Sequence, residues 1–305
     1  MAALHSYELK GNKQSFANWI SNLSPTETPF SSMTSKEAVD QTRFYWQTDR
    51  LAMPKVHSVA EGSDVADNEV SMNATTVLNN YTQILRRSVS VSDTANTLAN
   101  FGRGRELAYQ MEKMSIALKR DLEVILLSDQ TASAGAANSA RKTAGFEKLV
   151  AVGADTETGA TVKFDTHTSK TVALRDIREM TLNMFLANSE ADVIMFHPKH
   201  AAVFAKFQTE GSNAKMFDGD TTTFSHYVNT YVDEFGRTYK LIPNRFMPEN
   251  KIYFFKPADF TQMVLRAPNK VQLGKEGNYE QWMIEMEVGL RLRDPYAAGV
   301  LTVKA

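Results

Sequence analysis

Two short stretches of the sequence carry residue types that could bind a metal ion. His197 and His200 stand three residues apart at a predicted helix start, a spacing that two zinc ligands can have, and Asp218 and Asp220 could offer carboxylates to a cation loop. The histidines have no third ligand nearby in sequence, and the aspartates lack the further acidic positions and the final Glu of an EF-hand. Capping or surface histidines and a plain turn are the favoured interpretation, so we predict no metal and no cofactor.

Two further stretches could carry other chemistry. Glu285 and Glu287 lie on the same side of a predicted strand, as the paired carboxylates of a hydrolase do, and residues 102–105 contain two glycines that suggest a phosphate loop. Arg291 and Arg293 continue the side that carries the glutamates, which favours an ordinary solvated face. The glycine stretch has neither the third glycine of a dinucleotide fingerprint nor a Gly-Lys-Ser/Thr ending. We therefore predict no catalytic residue and no enzyme activity.

The composition narrows the class of protein. Among 305 residues, 34 basic and 35 acidic side chains leave a net charge of −1, which argues against a dedicated nucleic-acid binder. Cysteine is absent, so disulfides, thiol nucleophiles and thiolate metal sites are excluded. The longest apolar run, 201–205, is far shorter than the ~20 residues of a membrane-spanning helix, and the first residues lack the pattern of an export signal. We expect a soluble globular protein that stays in the cytoplasm where it is made.

Two long elements must form the frame that positions these residues. Apolar residues recur every three or four positions from 103 to 127 and predict a helix, which would be about 36 Å long at ~1.5 Å per residue. Its polar side is predicted to carry Glu112, Lys119 and Glu123. From 281 to 293 apolar and polar residues alternate, which predicts a strand with one buried and one wet face. The apolar residues are Leu107, Met111, Met114, Leu118, Leu122 and Ile125 in the helix, and Trp282, Ile284, Met286, Val288, Leu290 and Leu292 in the strand.

The rest of the chain is predicted to mix short helices with strands, which gives an α+β fold. An amphipathic segment near the start of the chain, with Phe16 and Trp19 on its apolar side, is typical of an arm. Strands 43–48 and 83–91 are predicted to pair around a long polar connection that projects as a hairpin loop. An α/β lobe is predicted from helices at 174–184 and 198–208 and from strands at 192–196, 227–232, 238–242 and 252–255, with a closing strand at 300–303.

The order of these elements, together with three stretches of sequence, resembles the major capsid proteins of tailed phages, which have the Hong Kong 97 type of fold. The stretches are Tyr81–Ser92, Gly102–Glu123 and Glu287–Ala297, and the first two are similar to the spine region of a subfamily from short-tailed phages. The resemblance covers essentially the whole chain. It implies an N-terminal arm at 1–35, an extended loop at 49–82, a peripheral domain at 36–48, 83–168 and 258–305 with a spine helix at 95–128, and an axial domain at 170–257.

The resemblance implies a structural protein without a cofactor. Such proteins assemble themselves into hexamers and pentamers of an icosahedral phage head, which encloses double-stranded DNA without reading its sequence and involves no membrane. The predicted spine helix begins too early for the scaffolding segment that many relatives carry, so a separate scaffolding protein is expected beside a portal, and a decoration protein is left open. Two alternatives stay open. One is an encapsulin-like shell around a cargo enzyme, and the other is a soluble α+β metal-dependent enzyme that uses the histidine pair or the aspartate pair.

Two oppositely charged stretches are the candidates for contacts between subunits. Residues 50–79 carry two basic and four acidic side chains, a net charge of −2, and residues 86–121 carry seven basic and four acidic ones, a net charge of +3. The resemblance brings the extended loop of one subunit onto the spine region of another, so opposite charges predict electrostatic steering of that contact. Ordinary surface charge is the alternative. The candidate residues are Glu61, Asp64, Asp67 and Glu69 in the loop, and Arg86, Arg87, Arg103 and Arg105 near the spine helix.

Overall fold

A computed structural model describes residues 27–51, 54, 56, 58, 60–62, 74–98, 104–168, 170–204 and 230–304. Several predictions from the sequence fall outside the described residues. These are the arm ahead of residue 27, the loop residues Asp64, Asp67 and Glu69, Arg103 beside the spine helix, the end of the helix predicted at 198–208, and the aspartate pair Asp218 and Asp220.

Five complete α-helices and twelve strands lie within those described residues, and residues 201–204 are also helical. The helices are α1 (Pro29–Met33), α2 (Asp93–Thr97), α3 (Glu106–Leu127), α4 (Phe146–Leu149) and α5 (Leu174–Leu186). The strands are β1 (Ser35–Ala38), β2 (Arg43–Thr48), β3 (Thr76–Tyr81), β4 (Gln83–Ser92), β5 (Lys163–Asp165), β6 (Val193–Phe196), β7 (Thr230–Val232), β8 (Thr238–Pro243), β9 (Lys251–Phe255), β10 (Phe260–Gln272), β11 (Tyr279–Leu292) and β12 (Gly299–Thr302). The predicted α+β mixture is therefore present.

The described strands form two sheets and a separate hairpin. The first sheet has the order β1-β10-β11-β4, the second has the order β5-β12-β9-β6-β8-β7, and β2 pairs with β3. In the second sheet β6 runs parallel to β8 and antiparallel to β9. Strands that the resemblance assigns to the axial domain share this sheet with β5 and β12, which it assigns to the peripheral domain. The domain boundaries stay a prediction.

The chain divides into two compact units. The described part of the smaller unit lies within Arg86–Leu118 and Lys270–Ile284. The larger unit comprises Glu27–Leu85, Lys119–Asn269 and Glu285–Ala305.

The helix that contains the predicted spine begins later than expected. α3 starts at Glu106, and Leu98 has an extended backbone with φ −67° and ψ 140°, so the predicted single helix over 95–128 is interrupted at Leu98. α2 is a separate short helix ahead of this point. Asn96 Oδ1 accepts a hydrogen bond from the backbone N–H of Leu107 at 3.3 Å, which satisfies one of the unpaired donors in the first turn of α3.

The partner of β2 differs from the one that the sequence predicts. β2 pairs with β3, from Arg43 opposite Tyr81 to Thr48 opposite Thr76. Residues 83–92 instead form β4, which lies beside β11. The connection between the paired strands is therefore 49–75 and not 49–82. The pattern does not reveal β3 because its sequence, Thr-Val-Leu-Asn-Asn-Tyr, contains two asparagines, and asparagine is depleted in strands.

An aromatic cluster forms part of the core of the larger unit. Phe146 stacks on Tyr253 with ring centroids 4.1 Å apart and on Phe260 at 4.6 Å, while Phe30 and Phe255 meet it edge-on. All five side chains are fully buried, so each removes its large apolar surface from water. The cluster joins α1, α4, β9 and β10, which come from distant parts of the chain.

The two long strands near the end of the chain show what alternation can and cannot predict. β11 confirms the predicted alternating strand. Its neighbour β10 has no such pattern, because its first four residues are all buried, and the sequence does not predict it. The polar side of β11 is also not wholly wet, since Glu287 is 3% exposed. The strands and helix of the predicted α/β lobe are present at 174–186, 193–196, 230–232, 238–243 and 251–255.

Candidate functional site

The structure describes four of the eight residues proposed for contacts between subunits. Glu61 lies in an exposed turn of the connection between β2 and β3. Arg86 and Arg87 are exposed neighbours on β4, and Arg105 is exposed just ahead of α3. The structure therefore gathers three of the basic candidates in the smaller unit. Whether they meet the acidic loop of another subunit stays a prediction.

A groove in the smaller unit combines positive charge with apolar surface. It has a volume of about 370 Å³. Two cationic side chains, Arg87 and Lys113, lie along it, and Met114 and Ala117 supply apolar area. Such a groove fits an acidic segment that also carries an apolar side chain. Its lining residues are Arg87, Ser88 and Val89 of β4 and Gln110, Lys113, Met114 and Ala117 of α3.

Asn80 locks the base of the β2–β3 hairpin to the body of the larger unit. Its side chain is fully buried. Asn80 Nδ2 donates to the carbonyl of Leu290 at 2.6 Å, and Asn80 Oδ1 accepts from the backbone N–H of Ala144 at 2.8 Å. Because both ends of the amide are used, the side chain has one orientation that satisfies its partners. The hairpin base is thereby fixed to β11 and to the residues that precede α4.

The candidate carboxylate pair on β11 is bound by arginines. Glu287 accepts hydrogen bonds from Thr82 Oγ1 at 2.7 Å, from Arg266 Nε at 3.0 Å and from Arg141 Nη2. Glu285 accepts from Arg266 Nη1 at 2.8 Å. Burial alone would raise the pKa of Glu287, but the hydrogen bond from Thr82 and the two arginines outweigh it and lower that pKa. The prediction of an ordinary solvated face was wrong for Glu287, which is a buried structural ion.

The hairpin lies against β11 at Gly289. A Cβ atom built on Gly289 would lie 2.6 Å from Cε1 of Phe44 and 2.8 Å from the backbone oxygen of Tyr81. Real Cβ atoms do not approach other atoms so closely, so only glycine lets β2 and β3 lie against β11 here.

The far end of β2 is tied to a second part of the larger unit. Arg50, two residues beyond β2, forms an ion pair with Asp155, and its guanidinium lies 4.8 Å from the ring centroid of Tyr296. Asp155 is only 7% exposed. Burial alone would raise its pKa, but hydrogen bonds from Arg50 and Thr158 outweigh that effect and lower the pKa of this carboxyl.

A buried carboxylate of α3 holds the first helix of the described chain. Glu123 is 0% exposed and accepts hydrogen bonds from the backbone N–H groups of Phe30 and Ser31, both at 2.8 Å. It also accepts from Asn244 Nδ2 at 2.7 Å. The prediction that Glu123 lies on the polar side of the helix was wrong. The carboxylate satisfies donors at the N-terminus of α1, where negative charge is favourable.

Glu147 on α4 receives two lysines from the sheet beneath it. Glu147 Oε1 lies 3.0 Å from Lys163 Nζ and 3.2 Å from Lys251 Nζ. Burial alone would raise the pKa of Glu147, but the two lysines outweigh it and lower that pKa. The cluster fastens α4 to β5 and β9.

The histidine pair has local structural partners. His197 Nδ1 accepts from the backbone N–H of Lys199 at 3.3 Å, as the cap of the 3-10 turn Pro198–His200. His200 Nε2 lies 2.8 Å from the carbonyl oxygen of Glu249. Among the described residues no group of three or more His, Asp or Glu side chains is arranged to hold a metal ion. No helix among the described residues is long and apolar enough to cross a membrane.

Sequence analysis does not identify Arg50, Asp155, Asn80 or Glu123 as important. The only local signal is the position of Arg50 just after an aromatic-rich strand. The partners of Arg50 and Glu123 lie 105 and 93 residues away, a separation that periodicity within one element cannot connect.

Comparison with known sequences gives two matches over nearly the full length. The sequence profile of the family described as SU10 major capsid protein matches residues 4–305. The major capsid protein of Escherichia phage Phieco32 is 48% identical over an alignment 342 positions long, which covers 98% of this chain and 96% of that protein.

Solved structures show the same fold at low sequence identity. The capsid asymmetric unit of cyanophage A-1(L) superposes with a TM-score of 0.71 at 11% identity and covers 98% of both chains. The SrpI encapsulin of Synechococcus elongatus PCC 7942 superposes with a TM-score of 0.60 at 13% identity, covering 96% of this chain and 92% of the encapsulin. The predicted Hong Kong 97 type of fold is confirmed. The chain therefore belongs to the SU10 major capsid protein family, and it is a structural protein of a phage virion rather than an enzyme.

Proposed function

We propose that this chain assembles into hexamers and pentamers of an icosahedral head that encloses double-stranded DNA. The observation that carries the proposal is the 48% identity to the Phieco32 major capsid protein over 98% of this chain. The net charge of −1 is compatible with a DNA container, because packaged DNA is largely neutralised by its own counterions. Assembly takes place in the cytoplasm of the bacterial host.

We further propose that assembly uses partners encoded beside this chain. These partners are a separate scaffolding protein and a portal, and a decoration protein is left open. The support is the match to the SU10 major capsid protein family over residues 4–305.

Co-expression of the chain with the scaffolding protein of its phage tests the proposal. Sedimentation and negative-stain microscopy should show closed shells of one dominant diameter. A product that stays a monomer or dimer under these conditions contradicts a shell-forming function.

An encapsulin-like compartment is the second candidate, and the fold likeness to the SrpI encapsulin favours it. The two candidates differ in what the shell contains. Particles isolated from a natural source should contain double-stranded DNA if the chain builds a phage head. Particles that contain a folded enzyme and no DNA would favour the compartment.

We propose that the acidic loop of one subunit docks on the basic surface near α3 of another. The acidic residues of this contact would be Glu61, Asp64, Asp67 and Glu69, and its basic residues would be Arg86, Arg87, Arg103 and Arg105. The groove beside Arg87 and Lys113 supports the proposal because it joins positive charge to apolar area. Exposed ion pairs contribute only about 0–1 kcal/mol each, so we expect steering and register more than binding strength.

Charge reversal tests this docking. Asp64→Lys with Asp67→Lys should slow or misdirect assembly at low salt, where screening is weakest. Adding Arg103→Glu with Arg105→Glu should partly restore the rate if these residues are the partners. Assembly of the first variant at the wild-type rate in low salt would remove the case for charge-guided docking.

A further inference from the structure

The β2–β3 hairpin is fixed to the larger unit at its base. Phe44 of β2 is buried and lies against Gly289, and the buried Asn80 of β3 bonds to Leu290 and Ala144. At this end of the hairpin, packing and hydrogen bonds define one arrangement.

The other end of the hairpin is held differently. A cavity of about 290 Å³ is lined by Thr48 and Asp49 and also by Asn188 and Asp294. The cavity wall is mostly polar and the space is open to solvent, so side-chain packing does not hold the end of β2 on this side. A tether, meaning a side-chain contact that fixes the backbone just beyond Thr48, therefore has a large effect on the direction of the residues that follow.

Arg50 supplies such a tether. Its guanidinium pairs with Asp155 and lies over the ring of Tyr296 at 4.8 Å. One guanidinium makes both contacts, because an N–H group pairs with the carboxylate while the central carbon lies over the ring. Contacts with two separate parts of the larger unit restrict the rotation of this group.

The turn that contains Asp155, the partner of Arg50, is held in place by its own hydrogen bonds. Asp155 Oδ2 accepts from Thr158 Oγ1 at 2.9 Å and from the Thr158 N–H at 3.2 Å, which leaves Oδ1 for Arg50. The backbone of the turn is closed by hydrogen bonds from Asp155 N to Ala160 O at 2.8 Å and from Gly159 N to Asp155 O at 2.9 Å. The carboxylate is thus positioned by its own turn and not by the hairpin.

We propose that Arg50 is a positioning residue for shell assembly: its contacts with Asp155 and Tyr296 set the direction in which the chain leaves β2 towards a neighbouring subunit. The inference rests on the proposed function. It adds to that function by assigning the direction of the chain after β2 to one side chain, Arg50. Arg50 is 42% exposed, and the buried carboxylate of Asp155 keeps its two hydrogen bonds from Thr158 when Arg50 is removed, so the loss should affect assembly more than folding.

The test uses the full chain co-expressed with the scaffolding protein of its phage. Arg50→Ala should lower the yield of closed shells of wild-type diameter at least tenfold, while the urea midpoint of the unassembled subunit stays at the wild-type value. Arg43→Ala is the matched control, because Arg43 is the first residue of β2 and its contacts with Tyr45, Asn79 and Tyr81 are within the hairpin. This control should assemble like the wild type.

Two further variants separate positioning from general stability. Arg50→Lys keeps the charge but lacks the planar group, so its shell yield should fall between those of wild type and Arg50→Ala. Thr158→Ala removes a bond to the same carboxylate without touching the tether, and it should lose less assembly than Arg50→Ala.

Two results would overturn the inference. One is wild-type yield and diameter for Arg50→Ala, and the other is an equal loss for Thr158→Ala and Arg50→Ala, which would show that the turn matters and the tether does not. Failure of the wild-type chain to form any shell contradicts the proposed function instead, so the two failures are distinguishable.

Discussion

The hydrogen bonds between Glu123 and α1 should contribute a large part of the stability of the larger unit. α1 has five residues, and its N-cap residue Thr28 makes no side-chain cap bond within the described part of the chain. Glu123 takes over that role from α3, through the N–H groups of Phe30 and Ser31, and it also accepts from Asn244. Glu123→Gln keeps the volume of the side chain but replaces one acceptor oxygen with an NH2 group.

The magnitude follows from the number of donors that lose an acceptor. The glutamine oxygen can serve two of the three donors, so one buried donor faces the NH2 group, at a cost of about 1–3 kcal/mol. The two remaining bonds also lose their charge assistance, and the neutral amide is easier to bury, so these changes partly offset each other. We expect Glu123→Gln to lower the free energy of unfolding by about 2–4 kcal/mol. Glu123→Ala leaves every donor without its acceptor and should lower it by about 3–5 kcal/mol or more.

Urea unfolding of the unassembled subunit, followed by far-ultraviolet circular dichroism, measures these differences. Glu112→Gln is the control, since Glu112 is an exposed residue of the same helix, and it should change the free energy of unfolding by no more than about 0.5 kcal/mol. If Glu123→Gln unfolds within error of Glu112→Gln, the assignment of Glu123 as a buried cap is refuted.

Three other substitutions give separate tests. Gly289→Ala should lower the free energy of unfolding by about 1–3 kcal/mol because a methyl group there meets backbone and ring atoms of the hairpin, whereas Gly274→Ala, which has open space at Cβ, should be nearly neutral by the same urea assay. Leu118→Asp places a charge at a side chain that is 3% exposed, so it should lower that free energy by several kcal/mol, on the order of 3–5, and yield insoluble protein on expression. The pKa of Glu147 is lowered in the fold, so its stabilisation is fully present above the unfolded-state value of about 4.3 and is lost as pH falls through the folded value. The difference between wild type and Glu147→Gln in urea midpoints should therefore be largest near pH 7 and shrink below about pH 4, and a difference that grows on acidification would contradict the lysine-bound carboxylate.

The elements whose apolar residues recur at a regular period are the ones that the sequence predicts. In α3 and β11 the predicted bounds agree with the structure to within a few residues, although β11 buries both of its sides from Met286 to Leu290. β10 begins with four buried residues, and β3 buries an asparagine through hydrogen bonds, so neither shows the alternation that would identify it. The predicted pairing of β2 with residues 83–91 was wrong for the same reason, because its actual partner β3 lies within the predicted loop.

For the candidate sites, the sequence predicts the sign of the charge on a surface, but it does not predict whether a single charged side chain is buried. Arg86, Arg87 and Arg105 are exposed, and their contact with another subunit stays a prediction. Glu123 and Glu287 were assigned to polar faces because a carboxylate in a periodic pattern is usually solvated. Their burial depends on donors from elements far along the chain, and a pattern within one element contains no information about those donors.

Three buried polar groups of the larger unit lie beside the predicted arm and the extended connection. Glu123 holds α1, directly after the arm, and Asn80 and Asp155 hold the two ends of the β2–β3 hairpin, on either side of the extended connection. An apolar contact of the same area would stabilise the fold at least as well, because burying a charge or an amide carries a desolvation penalty. Hydrogen bonds differ from apolar contacts in being directional, so each of these groups defines one angle at which the following segment leaves. In the proposed assembly, in which the predicted arm and loop contact neighbouring subunits, that definition matters more than extra stability. This argument explains why polar residues occupy buried positions at these three points.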